Sequence, residues 1–203
     1  MNPLNGGLIL DNINLTGKRL CIFGLPGSGK TNFTKALLST TKKALIYDTL
    51  HEYKGYDRYL PQYRDYSEES QDELNAFIKK YVTVKKGRPQ FFIVDEANRY
   101  CPNRKPLPDQ IGELNDFNRH FRLATGYISR RPTQLNTDLV ELAHYLIFFR
   151  LTGKNDYQYM ESISEGLGDE VRALEDFHYV LVDQKRDFQT CPPVKDIGVT
   201  PLM

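Results

Sequence analysis

The chain reads as an α/β protein built on a mostly parallel sheet with helices on both faces. Short apolar runs alternate along it with stretches in which apolar residues recur every three to four positions, the pattern of strand–helix repeats. This alternation of strand and helix argues for a mostly parallel sheet covered on both faces. A glycine-rich turn, Gly24 to Thr31, joins one such run to a helical stretch.

Taken in order, Arg19–Phe23 is a short buried strand, and Asn32–Ser39 a helix with Phe33, Ala36 and Leu37 on one face. Ala44–Asp48 is the second strand. Ser70 and Glu73 form a capping box ahead of Leu74, Phe77, Ile78, Tyr81 and Val82, so a helix fills this stretch. Phe91–Val94 is the third strand, followed by a helix carrying Ile111, Leu114, Phe117 and Phe121. Ala124–Ser129, Tyr145–Phe149 and Tyr179–Val182 complete six strands, with short helices between them. The ends, 1–18 and 190–203, read as irregular extensions of a single domain (1–203) whose core runs from about 19 to 183.

Composition excludes more than it selects. A formal charge of +1 gives no global argument for a nucleic-acid or membrane partner, so any basic surface is local. Cys21, Cys101 and Cys191 are too scattered for a disulfide framework or a metal cluster, which fits a reducing, cytoplasmic setting. No apolar run approaches the roughly 20 residues that span a bilayer, and 1–7 is no signal peptide.

The turn Gly24-Leu25-Pro26-Gly27-Ser28-Gly29-Lys30-Thr31 fits G-x-x-x-x-G-K-[ST] between a strand and a helix, the context a P-loop requires. Its N–H groups and the helix N-terminus suit phosphate oxygens, with Asn32 continuing the nucleotide-binding run. Lys30 is placed to reach the β- and γ-phosphates, and Thr31 to ligate Mg²⁺. The apolar strand Phe91–Val94 ends in Asp95-Glu96, a Walker B pattern: Asp95 for the metal, Glu96 to polarise a water. Together they predict a Mg²⁺-dependent ATPase with ATP as substrate. A small-molecule kinase opens in the same way, but no arginine-rich lid segment is found, and Glu96 favours water as the acceptor.

Three stretches carry a family resemblance. Ile46-Tyr-Asp48-Thr-Leu-His51-Glu52-Tyr53 is similar to the D-x-x-[GH]-E-Y signature of FtsK–HerA superfamily motor ATPases. Asp95-Glu-Ala-Asn resembles their extended Walker B, and Ala124–Leu135, with Ser129-Arg130-Arg131-Pro132, resembles their sensor strand. The resemblance covers about 20–183 and implies a P-loop NTPase fold of RecA/ASCE type, with the sensor strand between the P-loop and Walker B strands. The length points to the viral genome-packaging branch, similar to packaging ATPases of turreted icosahedral archaeal viruses. That implies double-stranded DNA as the translocated partner, a homo-oligomeric ring (pentamer or hexamer), capsid vertex proteins, and a host-cytoplasmic or virion-associated location. A HerA-like DNA-processing or phage-assembly ATPase, and a non-enzymatic nucleotide-gated vertex component, remain alternatives.

Arg130 stands where the family usually has Gln and would come within reach of the γ-phosphate. A ring further implies a trans-acting arginine: Arg119, in a stretch similar to the family's G-R-x-x-G but lacking its glycines, or Arg150 at the end of the fifth strand. Glu52 reads as a water-side carboxylate or a helix cap. Arg104 and Lys105, between prolines, read as a solvated loop or as a phosphate grip facing a pore. The tyrosines from Tyr53 to Tyr66 read as loop packing, with base stacking as the alternative.

Overall fold

The computed structural model describes residues 15–41 and 43–194; what was read on 1–14 and 195–203 lies outside the described residues. The described strands are β1 (Arg19–Phe23), β2 (Ala44–Tyr47), β3 (Arg58–Tyr59), β4 (Phe91–Val94), β5 (Ala124–Ser129), β6 (Tyr145–Phe149), β7 (Tyr179–Val182) and β8 (Phe188–Cys191). They form one sheet in the order β3-β2-β4-β5-β1-β6-β7-β8. The first six of these positions pair in parallel, and β7 and β8 finish the sheet antiparallel. The expected sensor strand, β5, lies between β1 and β4.

Side chains along a strand alternate between faces, and here both faces are buried. On β1, Cys21 and Phe23 join one apolar cluster while Leu20 and Ile22 join the other. On β4 the split is Phe92 and Val94 against Phe91 and Ile93; on β6 it is Leu146 and Phe148 against Ile147 and Phe149. This is why the strands read as continuous apolar runs. One face is covered by α1 (Lys30–Ser39), through Phe33, Ala36 and Leu37. The other carries α2 (Glu68–Phe77), α3 (Asp109–Phe121), α4 (Thr137–Glu141), α5 (Lys154–Ile163) and α6 (Leu167–Arg172). Each of the largest aromatics buried this way contributes about 1.5–3 kcal/mol relative to exposure.

Four details depart from the sequence reading. The sheet gains β3 and β8, so the chain continues as strand into residues read as the start of the C-terminal extension. The N-cap of α2 is Ser67, not Ser70: Ser67 Oγ accepts from Ser70 N, and Ser70 lies buried within the helix. Asp65 decides this, accepting from the hydroxyls of both serines, bonds that hold its carboxyl down at about 2. Glu73 does not reach back to a cap; it accepts from Gln62 N, Tyr63 N and the Tyr59 hydroxyl, pinning the preceding loop. On α3, Phe117 is exposed, because the buried stripe runs through Ile111, Leu114, Asn115 and Asn118.

Candidate functional site

Parallel strands put the carboxyl ends of β1, β2, β4, β5 and β6 along one edge of the sheet, where ligands of open α/β sheets bind. A cleft of about 260 Å³ opens there. Its lining includes Pro26, Gly27, Gly29, Lys30, Thr31 and Asn32 from the P-loop and the first turn of α1. Glu52, Asp95, Glu96 and Arg130 face them. Residues 52, 95, 96 and 130 come from the segments after β2, β4 and β5, so adjacent strand ends bring the sequence-expected residues together.

Two glycines are required by geometry. Gly29, the N-cap of α1, has φ 110°, a left-handed conformation that costs a side chain dearly. A Cβ on Gly24 would lie 2.6 Å from Phe149 Cβ and from Ser28 Oγ, so the loop cannot close around a larger residue. The Lys30 ammonium folds onto this loop, donating to the carbonyls of Gly24 at 2.6 Å and Leu25 at 2.9 Å. Burial lowers its pKa from the ordinary lysine value, and Glu96 and Asp95 pull it back up.

The acidic side is crowded. Asp95 is buried, and its pKa is pushed up to about 7, first by burial and then by Glu96, Glu52 and Asp48. Glu52 Oε2 accepts from the Thr31 hydroxyl at 2.8 Å. Glu96 sits in a left-handed backbone conformation (φ 48°), uncommon for a non-glycine residue and often found at functional sites. Its carboxylate pairs with Arg130 Nε at 3.1 Å and lies 3.8 Å from Arg99 Nε. Among the described residues no group of three His, Cys, Asp or Glu side chains is arranged to hold a metal alone. Thr31 and Asp95 nevertheless offer hard oxygen donors in one cleft, and the repulsion that lifts Asp95 is what a bound divalent cation relieves; these two residues fit Mg²⁺ completed by phosphate oxygens and water.

Several supports had no sequence assignment. Buried Asp48 accepts from Glu52 N (2.9 Å), Tyr53 N (3.1 Å) and Arg58 Nη1 (2.8 Å), folding the 48–53 turn so that Glu52 and Tyr53 line the cleft. Thr49 Oγ1 donates to the Asp95 carbonyl at 2.8 Å and contacts the Tyr100 hydroxyl, fixing the Walker B exit. The Ser129 hydroxyl donates to Asn98 Oδ1 at 3.3 Å, tying the sensor strand to the turn after Glu96. Phe177, also on the cleft wall, was not foreseen, since a lone aromatic in a loop far along the chain carries no local signal.

The other candidates lie apart. Arg119 is exposed, with Nη2 3.4 Å from His144 Nε2. His144 N in turn donates to the carbonyl of Arg19, which begins β1, so Arg119 stands at the amino edge of the sheet, across from its own cleft. Arg150 flanks the P-loop: its carbonyl accepts from Leu25 N and its guanidinium pairs with Asp176 at 3.2 Å. Arg104 and Lys105 are exposed on a loop pinned by Asn103 to Thr133 and Gln134 and by Asn136 to the Lys105 carbonyl. The tyrosine segment divides: Tyr53 is buried and Tyr59 stacks on Tyr47, whereas Tyr63 and Tyr66 are exposed, and Arg58 is committed to Asp48.

With this geometry in view, residues 20–137, more than half of the chain, match the family model "ATPase family associated with various cellular activities (AAA)". The chain belongs to the AAA family. The FtsK–HerA resemblance is also borne out. This AAA domain is 28% identical over 104 residues to the probable DNA double-strand break repair helicase HerA of Methanocaldococcus jannaschii. It is 28% identical over 127 residues to that of Pyrococcus furiosus. The alignments cover 50% and 60% of this chain but only 20% and 22% of those proteins, so the chain spans about a fifth of the curated relatives it matches. Among solved structures, it is similar to the genome packaging NTPase B204 from Sulfolobus turreted icosahedral virus 2 in complex with AMPPCP. That match has TM-score 0.70 and 20% identity, covering 90% of this chain and 100% of that one. The N-terminal domain of zonular occludens toxin from Neisseria meningitidis matches at TM-score 0.53 and 13% identity, over 89% and 96% of the two chains. At these identities the structural likeness speaks for the fold: a mostly parallel P-loop NTPase sheet, as expected. No helix among the described residues is long and apolar enough to cross a membrane.

Proposed function

We propose that this chain is a Mg²⁺-dependent ATPase that drives translocation of double-stranded DNA, as the motor of a viral genome-packaging ring. The observation that carries the hydrolytic reading is the convergence of Lys30, Thr31, Asp95, Glu96 and Arg130 on one cleft at the carboxyl edge of the sheet. The P-loop N–H groups and the α1 N-terminus bind the phosphates, and Lys30 exchanges its two carbonyl partners for phosphate oxygens. Thr31 and Asp95 hold the metal, which supplies charge neutralisation of the phosphates when bound. Glu96 takes a proton from the attacking water. Arg130 has two anionic partners to choose between, Glu96 and the γ-phosphate. Drawn to the phosphate, it releases Glu96 for the water, so loading and activation are coupled.

The DNA and ring elements rest on the HerA and B204 similarities and on the surface chemistry. Arg119 is exposed, remote from its own cleft, and has no carboxylate within ion-pair distance among the described residues, which suits a trans-acting arginine. Arg150, beside its own P-loop, suits a cis contact. The exposed Arg104 and Lys105 are the proposed phosphate grip on duplex DNA, and the vertex of the capsid is the proposed docking partner. The test is turnover with and without duplex DNA across protein concentration, then with mixed variants. Specific activity should rise with concentration and with DNA. Arg119→Ala mixed with Glu96→Gln should recover activity, because some interfaces pair an intact arginine with an intact site. A DNA-indifferent, concentration-independent rate would remove the motor reading, and binding without turnover would leave the non-enzymatic nucleotide-gated component.

A further inference from the structure

Two segments lead from the cleft to the exposed cations Arg104 and Lys105. Residues 96–105 leave β4 through Glu96, and residues 129–137 end β5 and carry Arg130. At the cleft they are joined by the Glu96–Arg130 pair at 3.1 Å, and beside it by the Ser129 hydroxyl donating to Asn98 Oδ1. Farther out the two backbones run antiparallel. Asn136 N donates to the Cys101 carbonyl and Asn103 N to the Gln134 carbonyl, both at 2.9 Å, with Pro102 opposite Leu135.

At the far end two asparagines clasp the loop. Asn103 Nδ2 donates to the Thr133 carbonyl at 3.1 Å, while its Oδ1 accepts from the Thr137 hydroxyl at 3.0 Å and from Arg104 N at 2.8 Å. Asn136 Nδ2 donates to the Lys105 carbonyl at 2.8 Å, and its Oδ1 caps α4 through Asp138 N. Held this way, Arg104 has a left-handed backbone (φ 62°), which a residue with a side chain keeps only where its neighbours fix it. Both cations remain exposed, and neither pairs with a carboxylate among the described residues. The segment that Asn103 grips is itself stiff: buried Asp156 on α5 accepts from Arg131 Nε at 2.8 Å and from the Thr133 hydroxyl at 2.7 Å.

We propose that Asn103 and Asn136 are positioning residues that couple the Arg104–Lys105 loop to Arg130, so that duplex DNA at the loop and nucleotide in the cleft alter each other's affinity. The inference rests on the reading of the loop as the DNA grip and of the cleft as the nucleotide site. Arg130 has two arrangements, on Glu96 or on the γ-phosphate, and leaving Glu96 opens the cleft end of the paired segments. Because side chains fasten the far end to the same stiff segment, a shift at one end displaces the other. Linkage makes the effect on affinity reciprocal.

The test is duplex affinity of the full chain by anisotropy, with and without Mg·ATPγS. In wild type the two dissociation constants should differ by about fivefold or more, the lower scale of coupling between sites. Asn103→Ala keeps the backbone ladder, both cations and the P-loop, and phosphate attraction tolerates a freer loop tip. It should therefore bind duplex alone and ATPγS alone as wild type does, yet show a ratio within about twofold of one. Asn136→Ser retains a cap for α4 and drops only the bond to Lys105, so it should lose part of the ratio, and it serves as the test if Asn103→Ala does not fold. Loss of coupling with both single affinities intact is an effect that a merely structural role does not produce. Sedimentation with ATPγS should match wild type, which separates the clasp from ring assembly. A wild-type ratio in either variant, a change in assembly, or a ratio near one in wild type overturns the proposal while the DNA reading stands. Absence of duplex binding by wild type removes the DNA reading and the proposal with it.

Discussion

Replacing Asp48 by alanine removes an acceptor that serves three donors at once: Glu52 N, Tyr53 N and Arg58 Nη1. The carboxylate is fully buried, while the Arg58 side chain is 23% exposed. Alanine therefore strands two backbone N–H groups and a partly sheltered cation, and loss of one partner of such a buried pair costs about 3–5 kcal/mol. For a chain of this size each kcal/mol moves the melting temperature by about 2–4 °C, so Asp48→Ala should melt roughly 10 °C lower. Asp48→Asn keeps the shape and one acceptor oxygen and should lose about half as much. Because the same turn carries Glu52 and Tyr53 into the cleft, KM for ATP should rise in both variants. The assay is differential scanning calorimetry, with Arg58→Met and the double variant completing a cycle whose coupling should be about 1 kcal/mol or more. A melting temperature within about 2 °C of wild type for Asp48→Ala would refute the claim that this carboxylate organises the turn.

Buried His144, facing Lys18, Arg19, Arg119 and Arg186, has its pKa lowered from 6.5 to about 4, chiefly by burial and then by those cations. The unfolded state therefore takes up the proton first. Stability should be complete above about pH 6.5 and fall, by at most about 3 kcal/mol, as pH drops toward 4; urea midpoints should show a shallower acid limb in His144→Asn. For the exposed pair on the loop after Walker B, Arg104→Ala with Lys105→Ala should flatten the log–log salt dependence of duplex binding. The change should be about 0.9 for each phosphate no longer neutralised, read by anisotropy on unrelated sequences. An unchanged slope would move the DNA grip elsewhere.

The parts of the fold legible in the sequence were those in which a local rule and the tertiary structure agree. β1, the P-loop and α1 are fixed by glycine spacing and an apolar face, and β4 and β6 by apolar runs that suit doubly covered strands. β3 is two residues of a charged and aromatic segment, and β8 is a polar edge strand, so neither shows a period long enough to read. The cap at Ser67 was hidden because Ser67 and Ser70 both have the chemistry of a cap, and only the turn at Asp65 decides between them. In the site, Lys30, Thr31, Asp95 and Glu96 were legible because phosphate chemistry dictates residue type and spacing. The Glu96–Arg130 pairing, the left-handed backbone at Glu96 and the placement of Phe177 depend on interactions between distant segments, which no local pattern encodes.

The central claim is that Glu96 activates water for ATP hydrolysis in a site that binds nucleotide through the P-loop. Single-turnover hydrolysis of Mg·ATP by Glu96→Gln, alongside ATP binding by the same protein, tests it most directly. The account predicts binding close to wild type with the chemical step slowed by about 10²-fold or more. A chemical step at the wild-type rate would contradict it.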